Sequence, residues 1–225
     1  MSRKALGQAF YEQTKNGKRI FDKATELMGF SMPQLCFEEN DRLDITEYTQ
    51  AAMVTASIAM KRVLEENGIK PDVAAGLSLG EYCALAAAGV MSDEDAIRTV
   101  RQRGILMQEA VTVGEGAMAA ILALDASAIE DVWIANYNCP GQIVISGEKA
   151  AVEDACEKLK AAGAKRAVML NVSGPFHSGM LADAGERLGE VLSQVELHEP
   201  QIPYVANVTA QYVKSAAEVK ELLTR

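Results

Sequence analysis

Ser78 stands between Gly76 and Gly80 in VAAGLSLGEYCALAAAGV, residues 73–90. The chemistry this spacing allows is nucleophilic. A serine on a sharp strand-to-helix turn projects its hydroxyl outward, and small residues two positions to either side let the strained backbone close. Val73 to Ala75 can supply the strand and Leu79 onward the helix. The helix N-terminus adds a positive dipole end and free N–H groups that can face a developing oxyanion. A tight turn with a capping serine explains the same local pattern, so the stretch alone leaves both readings open.

A serine nucleophile needs a base, and the chain offers two histidines. His198, in ELHEP beside Pro200, reads as part of a solvated loop. His177, in the Gly/Pro loop SGPFHSG and flanked by Phe176 and Ser178, is the better candidate. No Asp or Glu between Ser78 and His177 stands out as a third member, because the acids there are expected on polar helix faces. A Ser–His dyad is the economical arrangement. Arg103 is the third group of interest. On a helix over 92–111, Ile97, Val100, Gly104, Met107 and Val111 define an apolar face. At about 100° per residue Arg98 and Arg101 point well away from it, while Arg103 falls within roughly 60° of its centre. An arginine there either snorkels to water or answers an anion, such as a carboxylate held bidentately.

The surrounding chain is that of an ordinary globular protein: 225 residues, 49% apolar, with 22 Lys+Arg against 31 Asp+Glu. The resulting net charge of −9 argues against nucleic acid as a partner. Cys36, Cys83, Cys139 and Cys156 have no metal-ligand or disulfide-framework spacing and read as reduced thiols of a cytoplasmic protein. There is no signal-peptide pattern and no apolar run of membrane-spanning length, so no membrane partner is expected.

Patterning places helices at 2–16 and 18–28, each followed by glycine (Gly17, Gly29), a turn around Pro33 at 32–37 and an acidic loop at 38–44. A long helix follows at 49–67, stopped by Gly68. After the short strand before Ser78 come helices at 79–88 and 92–111, the latter opened by a Ser92/Asp95 capping box. From 117 the expected order is strand 117–123, helix 126–131, strands 133–137 and 142–146, helix 149–162 and strand 166–172. That βαββαβ order is ferredoxin-like. It implies an inserted lobe at 113–173 and a discontinuous α/β body at 1–112 and 174–225, completed by a helix at 180–194, a strand at 202–208 and a helix at 216–224.

AGLSLGEYCALAAAGV, RQRGILMQEA, NYNCPGQIVISG and GPFHSG, in this order along essentially the whole chain, resemble the malonyl-CoA:acyl-carrier-protein transacylases of bacterial fatty acid synthesis. The resemblance implies an α/β-hydrolase-like body with an inserted ferredoxin-like lobe. It also implies ping-pong transfer of a malonyl group from CoA to Ser78, then to the phosphopantetheine thiol of acyl carrier protein, with no cofactor of the enzyme's own. Carried over onto matching positions, it makes Ser78 the nucleophile, His177 the base and Arg103 the partner of the malonyl carboxylate. The Leu79 N–H becomes an oxyanion donor, and Gln50, Met107, Asn138 and Phe176 line the substrate site. An acidic carrier protein would dock on local cations, for which Arg98, Arg101, Lys158, Lys160, Lys165 and Arg166 are candidates.

The chain departs from the family pattern in four places. The usual first strand with its GQGSQ-like oxyanion loop is not seen, a donor worth on the order of 10²–10³ in turnover. The C-terminal GPG segment is also not seen, the insert's first helix is short, and Leu77 stands where the family has histidine. Without the first strand an exposed sheet edge is expected, lowering stability and favouring association. Two other functions fit the same residues: an acyltransferase-like protein that binds acyl-CoA or carrier protein with little turnover, and a serine hydrolase or thioesterase. Arg103 and the dyad without an acid argue against the second.

Overall fold

In the computed structural model, which describes residues 5–112, 114–125, 127, 129–172 and 174–224, a threonine makes the first helix break. Helices α1 (Gln8–Gln13) and α2 (Lys15–Met28) meet at Thr14, whose backbone is extended. Its hydroxyl donates to the Phe10 carbonyl at 2.6 Å and accepts the Gly17 N–H at 3.0 Å. The break expected at Gly17 therefore lies three residues earlier. Gly17 is buried inside α2, where a Cβ would overlap the Phe10 carbonyl, so the glycine marks a close approach and not a helix end. The turn expected at 32–37 is likewise a helix, α3 (Met32–Phe37), capped by the Ser31 hydroxyl on the Gln34 N–H. Pro33 sits in its first turn, where a missing N–H costs nothing.

The chain divides into two compact units, 1–104 with 187–225, and 105–186. In the first, the α2 residues Ile20, Phe21 and Ala24 pack with the buried alanines, Val54 and Ile58 of α4 (Thr46–Glu66). Helix α4 starts before the expected residue 49 because a 3₁₀ turn, Arg42–Asp44, feeds directly into it, and the Thr49 hydroxyl donates back to the Leu43 carbonyl at 2.7 Å. Arg62 of α4 grips both oxygens of Asp93, at 2.6 and 2.8 Å, at the start of α6 (Asp93–Glu109). The expected capping box is present at that start, with Asp95 N–H on the Ser92 hydroxyl at 3.0 Å. Between these helices lie β1 (Ala74–Ala75) and α5 (Gly80–Ala87).

Strand β1 pairs in parallel with β6 (Tyr204–Val205), two residues on each side, which is much less than the strand expected at 202–208. Leu188 and Leu192 of α8 (Ala182–Ser193) and Val219 of α9 (Ala216–Thr224) are buried.

The second unit carries an antiparallel sheet of β2 (Gly116–Leu122), β3 (Trp133–Cys139), β4 (Gln142–Glu148) and β5 (Arg166–Met169), in the order β3-β4-β2-β5. Alternation places Ala119, Ile121, Ile143 and Ile145 on the face covered by α7 (Lys149–Ala161), against Val152, Ala155 and Leu159. The helix expected at 126–131 includes Ala126 and Ala128, which lie outside the described residues, and residues 129–131 are not helical. Among the described residues no helix is long and apolar enough to cross a membrane.

Candidate functional site

The first unit builds a strand–turn–helix elbow at Ser78. Ser78 adopts φ 49°, the left-handed region that a residue with a Cβ rarely occupies. Gly76 makes the turn possible, since a Cβ there would overlap the Gly80 carbonyl. Short-range bonds then close the first turn of α5: Gly80 N–H to the Leu77 carbonyl at 2.9 Å, Glu81 to Ser78 at 3.0 Å and Tyr82 to Leu79 at 3.2 Å. The Ser78 N–H is taken by the Asn207 side-chain oxygen at 3.1 Å. Of the N–H groups from 78 to 82, that of Leu79 alone meets no acceptor among the described residues. It is the donor available to a new oxygen at the helix N-terminus.

Arg103 reaches this elbow from α6. One guanidinium nitrogen, Nη2, donates to Ser78 Oγ at 3.2 Å, and the other, Nη1, to Gln50 Oε1 at 2.7 Å. Gln50 is buried in α4, and its own amide nitrogen donates to the Thr46 hydroxyl at 3.2 Å. That bond fixes which end of the amide faces the guanidinium. The Arg103 carbon Cζ also lies 5.8 Å from the Tyr82 ring centroid. Among the described residues no carboxylate forms an ion pair with Arg103, so a cation is held beside the hydroxyl by neutral groups. Such a group is suited to an incoming carboxylate.

Beneath the elbow sits a buried acid. Glu81 is 5% exposed and accepts both the Tyr204 hydroxyl and the Asn207 N–H, the latter at 2.9 Å. Burial raises its pKa above the ordinary 4.5, opposed by the Tyr204 and Asn207 hydrogen bonds and by the Arg103 charge. The Tyr82 hydroxyl, buried beside Arg103, is pushed up to about 12 by loss of water. The expectation that acids here lie on polar helix faces is thus corrected for Glu81. In the short apolar helix α5, Glu81 is buried together with its neighbours Tyr82, Ala84 and Leu85.

His177 belongs to the second unit and has φ 57° in a loop where the Ser178 hydroxyl donates to the Pro175 carbonyl at 2.7 Å. Phe176 and Met107 are half-buried in that unit, and Asn138 is exposed near the end of β3. His198 is exposed, as a solvated loop residue should be. Arg101 does not point freely to solvent. It packs over the Tyr48 ring at 4.4 Å and the Phe30 ring at 5.6 Å and pairs with Glu47 at 2.7 Å, which removes it from the docking cations. Arg98 and Lys158 remain exposed and pair with acids on the surface, and Lys160, Lys165 and Arg166 are exposed.

Comparison with known proteins identifies the family of the chain. Residues 4–222 match the acyl transferase domain model. The malonyl CoA-acyl carrier protein transacylase of Bacillus subtilis is 46% identical, over 97% of this chain and 73% of its own length. A malonyl-transacylase solved in complex with a type II PKS acyl-carrier protein superposes with a TM-score of 0.94 at 39% identity, over 100% of this chain and 77% of that one. The Streptococcus pneumoniae MCAT structure gives 0.93 at 41% identity, over 99% and 76%.

The chain belongs to the malonyl CoA-acyl carrier protein transacylase family.

Within this transacylase fold, Ser78, Arg103 and Gln50 converge as direct contacts in the first unit, and Leu79 supplies the open donor. Sequence reasoning missed Asn207 and Tyr204, whose partners lie more than a hundred residues away in the chain. It passed over Glu81 although a signal was present: a single acid between Gly80 and an apolar run that ends at Val90.

Proposed function

We propose that this protein transfers the malonyl group of malonyl-CoA to the phosphopantetheine thiol of acyl carrier protein through an ester on Ser78. In the first half-reaction His177 takes the Ser78 hydroxyl proton as Oγ attacks the thioester carbonyl. The oxyanion forms against the Leu79 N–H, the C–S bond breaks, and the CoA thiolate leaves with the proton. In the second half, His177 takes the proton of the carrier's thiol. The thiolate attacks the ester carbonyl, the C–O bond breaks, and the proton returns to Ser78 Oγ. Arg103 holds the free malonyl carboxylate, oriented by Gln50, while Met107, Asn138 and Phe176 line the acyl site. The transfer uses no cofactor of the protein's own and takes place in the cytoplasm. The second unit's strand order β3-β4-β2-β5 with α7 on one face supports reading 113–173 as a ferredoxin-like lobe within an α/β-hydrolase-like body of 1–112 and 174–225.

The observation that carries the reading is Arg103, a guanidinium with neutral partners touching the candidate nucleophile at 3.2 Å. A malonyl carboxylate neutralises it, and an acetyl group does not. Arg103→Ala is therefore expected to collapse the preference for malonyl-CoA over acetyl-CoA by about a hundredfold, measured as the ratio of kcat/KM values. An unchanged ratio would refute the clamp.

A further inference from the structure

Ser78 carries backbone strain at φ 49°, and such strain persists only where the surroundings over-determine it. The flanking ladder is too short to do so, because β1 and β6 pair over two residues each. What reaches Ser78 instead is a relay of side chains. The buried Glu81 carboxylate accepts the backbone N–H of Asn207 at 2.9 Å and also the Tyr204 hydroxyl from β6. Asn207, so fixed, turns its side-chain oxygen onto the Ser78 N–H at 3.1 Å. Glu81 and Ser78 belong to one helical turn, joined by the Glu81 N–H to the Ser78 carbonyl at 3.0 Å. The circuit therefore closes on itself: Ser78, Glu81, Asn207 and back to Ser78.

We propose that Asn207, held by Glu81, is the positioning residue of the nucleophile. It keeps Ser78 in its left-handed conformation and its Oγ at the reacting position. The inference rests on the acyl-transfer reading, because it assigns the relay a task in Ser78 chemistry. By occupying the Ser78 N–H it also leaves the Leu79 N–H as the donor for the oxyanion. Neither Asn207 nor Glu81 needs to touch substrate for this. Their effect falls on the rate of Ser78 acylation and not on malonyl-CoA binding.

Asn207→Ala tests the relay cleanly, because the backbone N–H that holds residue 207 to Glu81 is retained and only the amide oxygen is lost. The expected result is an acylation rate constant about tenfold lower at saturating malonyl-CoA, with half-saturation within about twofold of wild type. Exchange of the Ser78 amide hydrogen should quicken by about tenfold, since its acceptor is gone. Glu81→Gln, whose amide oxygen can accept the same two hydrogen bonds, should restore near-wild-type acylation. Glu81→Ala should reproduce the Asn207→Ala loss, and the double variant should be no slower than either single one. Wild-type acylation and unchanged Ser78 exchange in Asn207→Ala would overturn the proposal. If the wild-type protein itself takes no malonyl group, the acyl-transfer reading fails. Exchange at Ser78, which needs no substrate, then decides the positioning claim alone: slow exchange that Asn207→Ala fails to quicken would overturn it.

Discussion

The two units are held in shape in opposite ways. In the second, β2 and β4 are seven-residue strands in unbroken antiparallel register, and their apolar faces close on α7. In the first, the sheet pairing beside Ser78 is two residues long, and position is fixed by side chains: Arg103 on Gln50, Gln50 on Thr46, Glu81 on Asn207 and Asn207 on Ser78. A ladder of backbone bonds tolerates most side-chain changes but depends on its buried face. A web of single polar contacts does the reverse. Substitutions should therefore separate, with changes at buried apolar residues of the second unit's sheet read first in stability and changes at the polar residues around Ser78 read first in turnover.

The largest stability effect should come from the second unit. Ile145→Ala removes a fully buried side chain at the centre of β4 and should cost about 2–5 kcal/mol, read by urea unfolding. A cost below about 1 kcal/mol would break the contrast. On the catalytic side, Gly76→Ala should lower the acylation rate by about a hundredfold, because its Cβ must displace the Gly80 backbone and with it the Ser78 hydroxyl. Near-wild-type acylation would show that the elbow has slack.

A smaller, pH-dependent effect sharpens the same point. The Glu81 carboxyl has its pKa raised by burial, so the folded state binds its proton more tightly than the unfolded state does. Stability from this group is present at low pH and is lost as pH rises from the ordinary 4.5 through the raised value. Glu81→Gln, which cannot ionise, should therefore gain on wild type across that window in unfolding experiments. A difference that is constant with pH would contradict the assignment. Smallest of all, Leu77→Ala should change stability by less than about 0.5 kcal/mol, since Leu77 is 61% exposed.

Much of the first unit's chemistry was legible because the constraints are local. Gly76 answers a steric demand within five residues, because a Cβ there would meet the Gly80 backbone, while a Cβ at Gly80 itself would meet open space. The position of Arg103 follows from helical periodicity on α6. Helix ends with a capping side chain, such as Ser92, were equally readable. The misreadings have physical causes. Gly17 looks like a stop, but its missing Cβ serves a close backbone approach. Arg101 follows the polar side of the helical wheel, yet Phe30 and Tyr48 come from elsewhere in the chain to cover it. Asn207 looks like any polar loop residue, because its partners are brought to it only by the β1–β6 pairing. Contacts of that range leave no periodicity to detect.

The central claim is that Ser78 carries the malonyl group, and intact mass spectrometry tests it most directly. Incubated with malonyl-CoA alone, the wild-type protein should gain one malonyl ester, lose it when carrier protein bearing a free phosphopantetheine thiol is added, and gain none as Ser78→Ala. An adduct that persists in Ser78→Ala, or a wild-type protein that stays unmodified, would contradict the account.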